Sequence, residues 1–434
     1  MLYQLSYFRI QNLFKSASLS IADAKVQLFS EPANFFPIFF EKNVLFCIFS
    51  PYLPPNASKK ALKMTKSAQL KTMKKKLDHN IWYYSEKTVP LAANYYSMTQ
   101  LSIIVPVYNV EPYIRSCMES IFRQGLDETC FEVIIVNDGS TDHSMEVIQD
   151  IISQHSNITV INQENLSLSV ARNKGIAAAQ GEYILMPDSD DLLVEYSLKP
   201  LLEKALETKA DLVVADFLNM TDEEIEQNDI HLLQKSVFSS REKSGEELFL
   251  QDLNPYECYV WRTLYRRGFI IKNKLTFVPG IYFQDVPFTH ECYLKAGKCL
   301  RASWLLNIYR KGHESSTFSF NKKKTKDFCI AIAKTWELTH LEGLSPQVQD
   351  KLKTDVYASF SMMIWITAHI IKNHSDRKEI IDFMRQLTPD LWFNKGIKQK
   401  IGSLIYRYMP YWYFYLRYLR KNIINLLRKQ FTNK

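Results

Sequence analysis

Leu101-Ser-Ile-Ile-Val-Pro-Val107 is an unbroken apolar run rich in β-branched residues, and it ends at the polar pair Tyr108-Asn109. A strand covered by helices on both faces has this composition, whereas a half-exposed strand alternates. Similar runs recur downstream at Glu132–Val136, Ile158–Ile161, Glu182–Met186 and Leu212–Asp216. Helical patterns lie between them. Tyr113–Gln124 puts Ile114, Cys117, Met118, Ile121 and Phe122 on one face. Ser140-Thr-Asp142 supplies an N-cap signal for a helix with Met145, Ile148 and Ile152 inward, and Leu168–Ala179 gives a third helix. Alternating strands and helices predict an α/β protein with a mostly parallel, doubly wound sheet and right-handed crossovers. Ligands of such sheets sit at the carboxyl ends of the strands. Here those ends are Tyr108-Asn109, Asn137-Asp138-Gly139-Ser140 and Asp188-Ser189-Asp190-Asp191.

Outward from this block the chain changes character. Of its 434 residues 46% are hydrophobic and 23% charged, which excludes a largely disordered chain. Residues 1–97 hold no glycine and keep neither strand nor helix period for long. Met98 stands just before the first strand and reads as the true start, with residues 1–97 as upstream sequence; a membrane-proximal extension is the competing reading. Residues 98–320 read as one domain, with halves 98–216 and 217–320, and 321–434 as a mostly helical C-terminal region. The seven cysteines are scattered without a C-x-x-C pair, which argues against a disulfide scaffold or structural zinc and for the cytoplasm.

Charge is distributed unevenly. Residues 1–97 carry 13 basic and 5 acidic side chains, and 391–434 carry ten basic and none acidic. The stretch 98–390 is left with a net charge of −10. An acidic body with basic ends is unlike a nucleic-acid binder, whose basic stripe lies on the folded domain. After Pro410 comes Tyr-Trp-Tyr-Phe-Tyr-Leu-Arg-Tyr-Leu-Arg-Lys421. Aromatics interleaved with Arg and Lys suit an anionic headgroup region, with Trp412, Arg417, Arg420 and Lys421 as anchors. An ordinary helix packed on the preceding domain is the alternative. The most apolar early run, Phe35–Tyr52, is broken by Glu41 and Lys42, so no transmembrane span is expected. A secretory signal is not expected either. The expected location is the cytoplasm, peripheral to the inner membrane face.

Asp188-Ser189-Asp190-Asp191 places three carboxylates in four residues at a strand end. Packed like charges are costly unless a cation neutralises them, and hard divalent ions prefer carboxylate oxygens. A solvated helix N-terminus is the plainer reading. Asn137-Asp138-Gly139-Ser140 admits two readings as well: an acceptor for a base N–H beside a close-approach glycine, or a tight turn.

Four segments in order resemble the inverting family 2 glycosyltransferases of the GT-A, Rossmann-like fold. They are Leu101–Asn109, Glu132-Val-Ile-Ile-Val-Asn-Asp-Gly-Ser-Thr-Asp142, Ala171-Arg-Asn-Lys-Gly175, and Gly181-Glu-Tyr-Ile through Asp191. The resemblance is strong over about 100–215 and looser through Val260–Arg267, Gln284-Asp285 and Tyr309–Ser315. It implies that Pro106, Tyr108 and Asn109 line a nucleotide pocket and that Asp138 contacts the base. Arg172 would lie by the diphosphate or support its loop. Asp188, with Ser189, would face the ribose or sugar, and Asp190 would ligate Mn²⁺ or Mg²⁺. Asp285 would be the catalytic base, or else a helix N-cap. His313 would be a metal or phosphate contact, or structural.

This chain departs from the pattern at Asn165-Leu-Ser-Leu-Ser169, where the family usually carries a glycine. It also lacks the Gln-x-x-Arg-Trp motif of processive synthases, so one sugar per encounter is expected. The implied reaction moves a sugar from a nucleotide-sugar, expected to be UDP-linked, to a hydroxyl of a glycan or polyprenyl-linked acceptor in surface polysaccharide assembly. A non-catalytic scaffold that binds nucleotide or glycan is the rival. A dehydrogenase is disfavoured because no G-x-G-x-x-G follows the first strand.

Overall fold

In a computed structural model the described residues are 99–228, 233, 237–312 and 320–411, together with the backbone of two short strands, β1 (Ile38–Glu41) and β2 (Val44–Cys47). The chain divides into two units, Met1–Ala92 and Ala93–Lys434. In the first, β1 and β2 pair antiparallel. Met98, His313 and residues 412–434, with the anchors Trp412, Arg417, Arg420 and Lys421, lie outside the described residues.

In the second unit the apolar runs form strands where the sequence places them. β3 (Leu101–Val107) is buried along its whole length. It pairs in parallel with β4 (Phe131–Asn137) and with β6 (Tyr183–Leu185), and β4 pairs in parallel with β5 (Ile158–Asn162). Strand alternation divides the core. Leu101, Ile103, Val105 and Val107 pack on α1 (Glu111–Phe122) and α4 (Leu198–Thr208), while Ile104 faces α3 (Leu168–Ala178) on the other side. A Cβ on Gly175 of α3 would come within 2.2 Å of the Ile104 side chain, so only glycine lets that helix sit so close to β3. Ile104→Ala would open a cavity at this contact and cost about 2–5 kcal/mol.

The helix expected after Ser140 differs. Residues 143–148 form turns, and α2 covers only Gln149–Gln154. Within the Ser140-Thr-Asp142 signal, the Asp142 carboxylate accepts from the Glu111 N–H at 3.0 Å and from the Ser144 N–H at 3.0 Å. This ties the end of β4 to the start of α1. The local turn takes the cap.

The sheet continues past β6 with mixed directions, in the order β5-β4-β3-β6-β10-β8-β11-β7, and β9 also pairs with β11. β8 (Leu212–Thr221) and β11 (Cys299–Lys311) are parallel. β10 (Thr263–Arg266) runs antiparallel between β6 and β8. β7 (Leu192–Leu193) and β9 (Ser239–Lys243) run antiparallel to β11. α5 (Asp222–Gln227), α6 (Gly245–Gln251), α7 (Arg267–Lys272) and α8 (Asp285–Lys295) fill the connections. The C-terminal region is helical as expected: α9 (Lys322–Glu337), α10 (Pro346–His369), α11 (His374–Leu387) and α12 (Ile397–Tyr408) share a core of their own. Val348 and Leu352 of α10 join the core beneath the sheet, so this region and the sheet form one body. Six described cysteines are free thiols.

Candidate active site

β3, β4 and β6 are parallel, so their carboxyl ends open on one edge of the sheet and bring Asn109, Asp138 and Asp188 to one side. Pro106 lies buried within β3, and Tyr108 is 45% exposed just beyond it. Asn109 adopts a left-handed φ of 51°. Its Oδ1 accepts from the Thr141 N–H at 2.8 Å, which joins the loops after β3 and β4. Asparagine tolerates this conformation better than most residues.

Asp138 is 3% exposed and well supplied with donors. Its carboxylate accepts from Gln163 Nε2 at 2.6 Å, the Leu166 N–H at 2.8 Å and the Ser167 N–H at 3.0 Å. The loop 163–167 is therefore wound around this side chain. A carboxylate has about four acceptor sites, so one remains for another donor.

That loop holds the chain's departure from the family pattern. Ser167 has φ 101° and ψ 156°, a region used almost only by glycine. The serine is held there by hydrogen bonds: its Oγ lies 2.8 Å from Ser169 Oγ and accepts from the Gly280 N–H at 3.2 Å. Both serines thereby fasten the loop to the segment leading into α8.

The turn after β6 is built in another way. Carboxylate oxygens of Asp188, Asp190 and Asp191 lie within 4.8 Å of one another. Burial pushes Asp188 up to about 6, against the pull of Arg172 and aided by Asp190 and Asp285. Burial, Asp190 and Asp188 push Asp191 up to about 9, with Arg310 opposing. Arg172 is 2% exposed, ion-paired to Asp188, and its guanidinium lies 5.5 Å from the Phe277 ring centroid. Its Nε is buried without a partner. Arg172 thus supports the acidic turn from below. Ser189 is 7% exposed.

Arg310 was not singled out from the sequence, yet it organises the same turn from β11. Its N–H donates to Asp191 Oδ1 at 2.9 Å, its Nε to the Asp190 carbonyl at 2.9 Å, and its Nη1 pairs with Asp222. It stands 119 residues from Asp191, and no local spacing links them. The only signal was the quoted Tyr309-Arg-Lys segment.

Asp285 is the first residue of α8, preceded by Gln284, which fills the N-cap position without a side-chain cap bond. The N-cap alternative for Asp285 is thus not what the structure shows. Burial pushes its carboxyl up, while Arg172 and the N–H groups of Asp285 and Val286 hold it down. Its charge also helps to raise Asp188.

The donor set fits a hard divalent ion. Three oxygen ligands converge, and Asp191 Oδ2 is buried without a hydrogen-bond partner.

A model of the family described as "Glycosyl transferase family 2" matches residues 102–272. The chain is 36% identical over 218 residues to the uncharacterized glycosyltransferase EpsJ of Bacillus subtilis, covering 50% of this chain and 62% of that protein. It is 30% identical over 313 residues to the uncharacterized glycosyltransferase YibD of Escherichia coli, covering 70% of this chain and 87% of that protein. The chain therefore spans less than two thirds of EpsJ but most of YibD. Among solved structures, Staphylococcus aureus TarS 1-349 in complex with UDP-GlcNAc superposes with a TM-score of 0.52 at 20% identity, over 66% of this chain and 80% of that one. At that identity the likeness is one of fold.

Proposed function

The chain belongs to glycosyl transferase family 2, and on that premise we propose that it transfers one sugar from a UDP-sugar to a hydroxyl of a glycan or polyprenyl-linked acceptor, with inversion. The observation that carries this reading is the convergence of the Asp188, Asp190 and Asp191 carboxylates, within 4.8 Å of one another, at the carboxyl ends of the parallel strands. A scaffold gains nothing from such mutual repulsion. A site for a cation and a diphosphate does.

In this mechanism Asp285 takes the proton of the acceptor hydroxyl. That oxygen attacks the anomeric carbon opposite the bond to the diphosphate, the old C–O bond breaks, and its electrons leave with the nucleoside diphosphate. General base catalysis of this kind contributes about 10²–10⁴-fold. Pro106, Tyr108, Asn109 and Asp138 frame the nucleotide, and Asp188 with Ser189 faces the ribose and sugar. Arg172 acts by holding Asp188. Asp190, with Asp191 and Asp188 beside it, would hold Mn²⁺ or Mg²⁺, which supplies Lewis-acid neutralisation of the departing diphosphate. UDP is favoured because the fold neighbour TarS has a complex with UDP-GlcNAc.

The test is thermal unfolding of the full chain with UDP, GDP, CDP and NADH, each with and without Mn²⁺. UDP at 100 times its dissociation constant should add about 2.7 kcal/mol, and only with metal. A shift with another nucleotide would overturn the donor assignment. No shift with any would favour the non-catalytic scaffold.

For the acceptor's location, α12 supplies an observation. Ile397, Ile401, Leu404 and Tyr408 are 77%, 51%, 46% and 73% exposed and recur at helical spacing, so they form an apolar stripe facing solvent. Lys400 and Arg407 share the helix. Among the described residues no helix is long and apolar enough to cross a membrane. An amphipathic stripe with cations suits a position on anionic lipid, at the cytoplasmic face, where a lipid-linked acceptor in surface polysaccharide assembly would be met. Sedimentation with phosphatidylglycerol vesicles should fall in Ile401→Ser/Leu404→Ser/Tyr408→Ser; unchanged sedimentation would reject the role of the stripe.

A further inference from the structure

Four aromatic rings gather in the half of the sheet that follows β6. Phe217 comes from β8, Tyr309 from β11, and Tyr259 and Trp261 from the segment entering β10. Tyr259 and Trp261 are stacked, with centroids 4.8 Å apart and planes 12° apart. Tyr309 stacks on Trp261 at 5.6 Å and 27°, and the two tyrosines are 5.5 Å apart. Phe217 meets Trp261 edge-on at 5.0 Å. Trp261 is 2% exposed, while the other three rings are only half-buried. A core cluster would bury all four. Here one ring forms a floor, one a buttress, and two tyrosines, their planes tilted 39° to one another, stay open to solvent.

This cluster borders the acidic turn. Tyr309 directly precedes Arg310, whose N–H binds Asp191. Tyr259 follows Cys258, whose carbonyl accepts from Thr289 of α8, the helix that Asp285 begins. Burial and the charges of Asp285 and Asp191, among others, push the Tyr259 hydroxyl up. Tyr309 is pushed up to about 12 by burial, by Tyr259 and by the three aspartates. Both phenols are therefore neutral donors at physiological pH. In the sheet the cluster lies beyond β6 and β10, across from the Asp138 loop at the end of β4. A ring stacked here is not the nucleotide's base.

We propose that Tyr259 and Tyr309 form a stacking platform for a pyranose ring of the acceptor, with its C–H face on the rings and its hydroxyls bonded to the phenols. The sugar's hydroxyl is thereby presented between Asp285 and the acidic turn. This rests on the transferase reading and adds a class to it: the acceptor ends in a cyclic sugar and not in an acyclic polyol. Lys311 Nζ, 4.2 Å from the Tyr309 ring centroid, occupies a ring face that such a sugar can take over.

The test is saturation-transfer NMR on the full chain with UDP and Mn²⁺, using methyl β-D-glucopyranoside, methyl β-D-galactopyranoside and ribitol as probes. At least one glycoside should receive saturation at its ring C–H protons, and ribitol should not. Tyr259→Ala and Tyr309→Ala should each weaken glycoside binding about tenfold, Tyr259→Phe much less, and both alanine variants should keep the UDP melting shift. Absence of glycoside signal in the unmodified chain, equal signal from ribitol, or full signal in both alanine variants would overturn the platform. Loss of the UDP shift with Tyr259→Ala would move it to the donor side, which also overturns it. If the unmodified chain itself shows no UDP shift, the transferase reading fails, and the glycoside result still stands or falls by itself.

Discussion

Two acidic turns flank β3, one after β4 and one after β6, and they are built in opposite ways. Asp138 is ringed by three donors from a single loop, so its charge is spent in shaping residues 163–167. Asp188, Asp190 and Asp191 face one another within 4.8 Å, and the cations that restrain them, Arg172 and Arg310, come from α3 and β11. The lesson is that acidic residues at equivalent strand ends do not share a role: a carboxylate bonded throughout to one loop positions backbone, and a cluster of mutually repelling carboxylates suits a ligand that brings positive charge.

The largest effects should fall on the clustered side. Asp190→Asn and Asp285→Asn should each lower turnover by at least about 10²-fold in initial-rate assays of UDP-sugar consumption. Because the Asp285 carboxyl is pushed up by burial, its ionised form is lost at a higher pH than for an ordinary carboxylate. The rate should therefore fall on the acid side from above that range, and Asp285→Asn should remove this limb. Full activity in either variant would erase the distinction drawn between the two turns.

Next comes Arg172→Met. It keeps the bulk against Phe277 and strips the buried partner from Asp188. Breaking a buried pair costs about 3–5 kcal/mol, and the lower end is expected because the Asp188 side chain is 29% exposed. Urea unfolding in chelator measures it, and a loss below about 1 kcal/mol would mean the turn does not depend on this support.

A matched pair then sets the turns against each other. Asp138→Asn turns an amide NH₂ toward N–H donors and should destabilise by about 2 kcal/mol. Asp191→Asn keeps an oxygen for the Arg310 N–H and points its amide at Asp188 and Asp190, so in chelator it should stabilise by a similar amount, about 2 kcal/mol. Shifts of the same sign would show that the two turns are not opposites.

The sequence made one half of this fold far more legible than the other. β3, β4 and β5 are parallel strands, and β3 and most of β4 lie deep in the core, so they read as continuous apolar runs. β11 went unread because Leu-Arg-Ala-Ser-Trp-Leu within it is partly exposed, and β7 is only two residues long. Only the first half of β8 was visible for the same reason. At the site, Asp188 and Asp190 were readable because carboxylates cluster visibly in a sequence, and Asp285 only through the resemblance of Gln284-Asp285 to the family pattern. Arg310 was not, because β11 reaches the acidic turn only through sheet pairing. Trp261 and Tyr309 share this obscurity: they meet by topology, and neither spacing nor composition brings them together.

The smallest effect concerns Ser167, which links the Asp138 loop to the segment leading into α8. At φ 101° a side chain costs about 1–3 kcal/mol, and Ser167→Gly removes that cost. It also removes the Oγ bonds to Ser169 and the Gly280 N–H, a loss of about 0.5–1.5 kcal/mol, lessened because Ser169 Oγ still accepts from Gly280 at 3.0 Å. A net gain of about 1 kcal/mol is expected, read as a higher urea midpoint at unchanged slope. Ser167→Ala keeps the strained backbone and loses the bonds, so it should fall below the parent. If glycine also destabilises, the Oγ contacts outweigh the strain. The loop around Asp138 would then be held as much from the α8 side as by Asp138 itself, and the contrast between a self-contained turn and an externally braced one would narrow to a difference of degree.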